Sequence, residues 1–100
     1  MAKSRITPVH PGVYVKEILD ELRVSQYRLA QELGVPAMRV SRVVRGQRPM
    51  TAELALRLGR YLDQSSRHWH HLQSRYDMDI VEDRVGSRVL REVRRSKAVA

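Results

Sequence analysis

Sixteen arginines and four histidines carry most of the chemistry open to this 100-residue chain. Arg39, Arg42, Arg45 and Arg48 fall within residues 36–48, a stretch with no acid. At three-residue steps on a helix they share one broad face. A guanidinium is a planar fork of donors that suits phosphate oxygens and the O6/N7 edge of guanine. The second cluster is His68, Trp69, His70 and His71. His68 and His71 share a helix face, but no carboxylate lies at ligand spacing, and two imidazoles do not close a tetrahedral zinc site. No metal and no other cofactor is therefore expected. Ser25 and Thr51 read as helix caps, since no histidine is spaced to serve either as a base. There is no cysteine nucleophile and no glycine-rich phosphate loop. The chain reads as a binding protein, not an enzyme. The alternative from another class is a nucleic-acid-processing or metal enzyme built on the histidines.

Charge points the same way. Nineteen bases against eleven acids give a formal net charge of +8, and the isoelectric point is near 10.8. Such a balance selects polyanionic partners. With no Phe, four Tyr and one Trp, the chain lacks the stacking platforms of a single-strand binder. No apolar run nears the roughly 18 residues of a membrane span, and the basic N-terminus leads into no apolar signal segment. The expectation is one cytoplasmic domain with no membrane contact.

The elements that must position the arginines are helices. Residues 1–9 read as a flexible basic arm ending before His10-Pro11-Gly12. Apolar residues at helical spacing predict a first helix over about 13–22, with Val13, Ile18, Leu19 and Leu22 on its apolar face. Ser25 caps a helix over 26–33, with Leu29, Ala30 and Leu33 inward, and Gly34 ends it. Pro36 suits the first turn of a third helix that buries Val40 and Val43 and stops at Gly46. Thr51 caps a fourth, whose stripe is Leu54, Ala55, Leu58, Tyr61 and Leu62. Ser65 caps a fifth, in which Trp69, Leu72, Gln73 and Tyr76 repeat. An acidic stretch follows (Asp77, Asp79, Glu82, Asp83), then a basic tail from Arg84 to Lys97. Val81, Val85, Val89 and Val93 recur every four residues, a narrow helical seam. Gly86-Ser87 is the expected break in it, with Ser87 capping the second piece.

Two short helices joined by a tight turn are the geometry of a helix-turn-helix. The second must stand out far enough to enter a major groove about 12 Å wide. Ala30, Gly34, Val35, Val40 and Val43 supply the small residue, the turn and the inner face that this requires. The stretch Leu22–Pro49 resembles the phage-repressor-like (XRE-type) helix-turn-helix domain through Ser25-Gln26, Leu29-Ala30, Leu33-Gly34-Val35, Val40-Ser41, Val43 and Gly46-Gln47-Arg48-Pro49. Further features resemble the HigA antitoxin subfamily: His10-Pro11-Gly12, Met50-Thr51-Ala52, Ala55-Leu56-Arg57-Leu58, and the block Tyr61, Ser65, Trp69, Leu72-Gln73 and Tyr76-Asp77. The resemblance covers roughly residues 10–78. It implies an all-α fold, a five-helix lambda-repressor-like domain over 10–78 with a C-terminal helical extension over 79–100 that is basic at its end. It also implies a DNA-binding antitoxin that neutralises a HigB-type ribonuclease toxin and represses its own operon. The alternative within the same fold is a solitary repressor without a toxin.

In such domains the start of the third helix faces bases. Ala37, Met38, Arg39 and Arg42 are the base-contact candidates. Gln26, Arg28, Ser41, Arg45 and Arg48 are the phosphate candidates, fixing register without reading sequence. Pro36 stands where many members of the family carry Ser or Thr, so the helix lacks a cap hydroxyl. Operator DNA offers two half-sites about 34 Å apart, so a homodimer is expected. Trp69, Val81, Val85, Val89 and Val93 are the candidates for dimer or toxin contact, although core packing is the plainer role for Trp69. The acidic stretch complements a basic toxin.

Overall fold

Each of the first two helices starts where a side chain takes up a free backbone N–H. His10 Nδ1 accepts from the Gly12 N–H at 2.9 Å and opens α1, Pro11–Leu22. Ser25 Oγ accepts from the Arg28 N–H at 3.0 Å and opens α2, Gln26–Leu33. Gly34 ends α2 at φ 72°, where a side chain would be strained. α3, Ala37–Val44, starts at Pro36, which sits at the N-cap and makes no side-chain cap bond. Thr51 Oγ1 and Ser65 Oγ then cap α4, Ala52–Leu62, and α5, Ser66–Glu92. The computed structural model describes residues 7–99, and no strand occurs among them.

The apolar stripes meet in one core. Val15 and Leu19 of α1, Leu29, Ala30 and Leu33 of α2, and Val40 and Val43 of α3 pack with Leu54, Ala55 and Leu58 of α4. Met50 and Trp69 close it from the turn before α4 and from α5. Three residues of the expected stripes lie outside this core. Val13, in the first turn of α1, is 46% exposed. Leu22 is 52% exposed and Tyr61 37%, each in the last turn of its helix.

One further expectation lies mostly outside the described residues, and another is corrected. Of the basic arm expected over 1–9, residues 1–6 lie outside the described residues, and 7–9 have no regular structure. His10 is anchored, 9% exposed and part of the first cap. The break at Gly86-Ser87 does not occur, and Ser87 caps nothing: α5 runs unbroken for 27 residues, about 40 Å at 1.5 Å per residue. A single glycine in a helix interior costs about 1 kcal/mol, too little to interrupt a helix of this length. A boundary between residues 78 and 79 thus falls inside α5. Only Trp69 and Gln73 of α5 are buried. Its distal half carries the long axis of a molecule measuring 53 × 25 × 21 Å.

Candidate nucleic-acid interface

The inner face of α3 fixes its outer one. With Val40 and Val43 buried, the helical repeat turns Met38, Ser41, Arg42 and Arg45 outward. Met38 is 62% exposed, Ala37 and Arg45 are exposed, and Ser41 and Arg42 are half-buried. Arg48 is exposed in the turn before α4. Between α3 and that turn lies an open depression of about 360 Å³, walled by Met38, Arg39, Arg42, Arg48, Pro49 and Thr51. Four of the base and phosphate candidates thus share one concave surface. The missing cap hydroxyl at Pro36 leaves the start of α3 in place, because Pro36 itself adopts the extended N-cap conformation and its carbonyl accepts the Arg39 N–H at 3.0 Å.

Arg39 stands apart from the other three. It flanks the outward face on the side of α4. Its Nη2 donates to Thr51 Oγ1 at 3.0 Å and lies 3.9 Å from Glu53 Oε1. The other oxygen of Glu53 accepts from Arg57 Nη2 at 3.1 Å and Nε at 3.3 Å. Arg57 Nη1 in turn donates to the Leu33 carbonyl at 3.0 Å, at the end of α2. This chain ties α2, α4 and the base-facing start of α3 together. Thr51 Oγ1 accepts twice, from Arg39 and from the Leu54 N–H at 3.1 Å. Its own proton remains free to donate into the depression.

On α2, Gln26 is half-buried and Arg28 is exposed. Arg28 Nε lies 3.2 Å from Glu32 Oε1, a pair one helical turn apart. Exposed pairs of this kind are worth only a few tenths of a kcal/mol, so the arginine is easily released to a phosphate. Tyr27 is 64% exposed beside it and adds a phenol to the same edge.

The turn that carries Arg48 is fastened from behind. Gln73 of α5 is buried; its Oε1 accepts from the Met50 N–H at 2.7 Å, and its Nε2 donates to Asp77 Oδ1 at 2.9 Å. His10 sits beside this link, its ring edge-on to Tyr76 with centroids 5.0 Å apart. Burial lowers the His10 pKa below its usual 6.5, against the opposing pull of a hydrogen bond to the Arg48 backbone and of the Asp77 charge. The neutral ring leaves Nδ1 free to accept from Gly12. A histidine whose folded pKa is depressed contributes stability that is complete above its unfolded pKa of about 6.5 and is lost as pH falls toward the folded value. Melting temperatures of the native chain are therefore expected to drop between pH 7.5 and 5.5. His10→Asn keeps a cap acceptor and cannot titrate, so its drop should be smaller. Equal drops in the two proteins would refute this role.

The sequence singles out neither Thr51, Glu53 and Arg57 as partners of the reading helix nor Gln73 and His10 as supports of the turn. The Arg39–Thr51 bond spans 12 positions and the Met50–Gln73 bond 23. No local spacing announces either. Trp69, a candidate for partner contact, belongs to the core instead: it is 3% exposed, with Nε1 donating to Gln64 Oε1 at 3.0 Å. Val81, Val89 and Val93 are 50%, 45% and 65% exposed, and Val85 is half-buried. Met78 and Leu90, at 57% and 66%, widen the seam. Among the described residues, no group of histidines and carboxylates is placed to hold a metal ion, and no helix is long and apolar enough to cross a membrane.

Comparison with known proteins identifies the family to which this fold belongs. A family model described as helix-turn-helix matches residues 15–69. A virulence-associated protein I of Dichelobacter nodosus is 36% identical over 81 residues, spanning 80% of this chain and 75% of the relative. Among solved structures, an addiction module antidote protein of a HigA family from Coxiella burnetii superposes with a TM-score of 0.89 at 33% identity, covering 91% of this chain and all of the other. The Pseudomonas aeruginosa antitoxin HigA, solved with the higBA promoter, superposes with a TM-score of 0.85 at 38% identity, covering 88% and 97%. The chain belongs to the phage-repressor-like helix-turn-helix family, in its HigA-type antitoxin branch.

Proposed function

We propose that this protein is a cytoplasmic, non-enzymatic antitoxin that binds operator DNA as a homodimer, represses its own operon and neutralises a HigB-type ribonuclease toxin. The observation that carries the DNA half is the depression beside α3, where Arg39, Arg42 and Arg48 surround Met38 and Thr51. Arg42 enters the groove with Met38 and reads base edges. Arg39 reads from the flank, and Ala37 and Met38 offer apolar contact to thymine methyls. Ser41, Arg45 and Arg48 grip phosphates, and Gln26 and Arg28 do so from the start of α2. The support for this reading is the arrangement itself and the relative solved with its promoter. The toxin half is drawn from the family, and the exposed seam on α5 supports pairing of two copies.

One experiment with two arms tests it. Duplexes are selected from a randomised library with the native chain, and binding is titrated on these and on random DNA. Arg39→Ala and Arg42→Ala should each cost about 1–3 kcal/mol on selected duplexes and far less on random ones. Arg45→Ala and Arg48→Ala should weaken both and flatten the salt dependence by about one unit of slope each. Equal losses on both kinds of DNA for all four would refute the division. In the second arm, the product of the neighbouring reading frame is co-expressed. A stable complex that relieves growth arrest supports the antitoxin; its absence leaves a solitary repressor.

A further inference from the structure

The contacts around Arg39 assign a specificity role to a residue that touches no base. We infer that Glu53 is a positioning residue for DNA reading, acting through Arg39; this deepens the DNA-binding reading above and rests on it. A free arginine on a binding face serves any phosphate, because a long mobile cation finds the nearest anion. A base-reading arginine must instead present its fork at one place. Arg39 is held at a single nitrogen, Nη2, by Thr51 Oγ1 at 3.0 Å with Glu53 Oε1 at 3.9 Å behind it. Nη2 keeps a second N–H, which together with Nη1 or Nε completes one two-pronged donor edge, and Arg39 lines the depression. Only 33% of the Arg39 side chain is exposed, which is low for a surface cation.

Glu53 is itself held. Where Arg28 makes a single contact with Glu32, Arg57 donates twice to the second Glu53 oxygen, at 3.1 and 3.3 Å. Arg57 is itself anchored on the Leu33 carbonyl at 3.0 Å, which biases the carboxylate toward one place. The first turn of α4 adds to this, since the positive end of the helix dipole favours the Glu53 anion there. The carboxylate therefore does two things. It orders Arg39 for a base edge, and it offsets a positive charge that would otherwise strengthen binding to every sequence alike. The first effect raises affinity for selected DNA alone, and the second lowers affinity for all DNA alike, so the ratio of the two affinities reads the first and the salt dependence reads the second.

The test is Glu53→Gln, which keeps the size and hydrogen-bonding capacity of the side chain and removes its charge. Base preferences are read by selection from a randomised duplex library with the native chain, Glu53→Gln and Arg39→Ala, and the melting temperature of each is recorded. Glu53→Gln is expected to lower the ratio of selected to random affinity roughly five- to tenfold, the scale of one lost bidentate base contact. On random DNA it should steepen the salt dependence by about 0.9, one further phosphate contact. The base-pair position whose preference relaxes should be the one that relaxes in Arg39→Ala. A uniform loss at all positions, or an unchanged ratio at unchanged stability, would overturn the inference while leaving DNA binding intact. Failure of the native chain to select any sequence would instead overturn the DNA-binding reading and this inference with it.

Discussion

Gly12→Ala should destabilise the chain by about 3 kcal/mol or more, the upper end for overpacking a close contact. For a domain of this size that lowers the melting temperature by roughly 12–24 °C. The reason lies in how α1 meets α3. The first turn of α1 abuts the last carbonyls of α3, so the positive end of one helix dipole faces the negative end of the other and the two attract. A methyl at Gly12 would overlap the Val43 carbonyl oxygen, and would stand 2.8 Å from the Val44 oxygen and 2.9 Å from the Val43 carbonyl carbon. These are backbone atoms, which cannot rotate aside as a side chain can. Either α1 lifts off, loosening Val15 and Leu19 in the core, or the end of α3 shifts and moves Arg42 and Arg45 with it. DNA affinity should therefore fall even below the melting point. Gly86→Ala is the matched control. Its nearest neighbour would be the Glu82 Cβ at 3.9 Å, and it should gain up to about 1 kcal/mol from helix propensity. A Gly12→Ala chain that melts within a few degrees of the native one would refute this account.

The same junction shows what the sequence can and cannot announce. Ser25, Gly34, Thr51 and Ser65 mark helix ends through bonds that reach only three or four residues, and α2, α4 and α5 start where those residues place them. Val40 and Val43 set the face of α3 by local periodicity, so the outward arginines are legible too. The supports are not. Gly12 carries no side chain to signal that it is pressed on α3, and nothing local to His10 announces that its ring lies against Tyr76. Gln73 follows the apolar repeat of α5 and is buried as expected, but the partner that makes burial of an amide tolerable is a backbone N–H two elements away. A Gly-Ser pair suggested a break in α5 because local propensity is all that a sequence window contains. Trp69 illustrates the opposite ambiguity: a large aromatic serves a core or an interface equally well, and here the core claims it, with its indole N–H on Gln64.

Ending the chain after Asp83 should cost operator affinity about 100- to 10,000-fold, the scale of a lost second binding module, while leaving the helix-turn-helix folded. Every buried residue of the described chain precedes that point, Gln73 being the last. Melting of the shortened chain should therefore persist as a cooperative transition. What is lost is the seam of Val85, Val89 and Leu90, an apolar stripe that no other described element covers. Isolated exposed valines are unremarkable, but a run at four-residue steps on a projecting helix is the pattern of a helix-pairing surface. A second copy would bury it and set two reading helices at the half-site spacing of about 34 Å. The deletion also removes six bases and one acid, so a weaker electrostatic grip would lower affinity as well. Val81→Lys with Val89→Lys separates the two causes. Both positions are about half exposed and lie within α5, so the fold tolerates the change. The double variant adds two positive charges and spoils the seam. If the tail acts only as a basic patch, affinity for every duplex must rise. If it pairs two copies, sedimentation should show a monomer, and operator affinity must fall despite the added charge. The sign of the change decides between them, because charge and pairing push it in opposite directions.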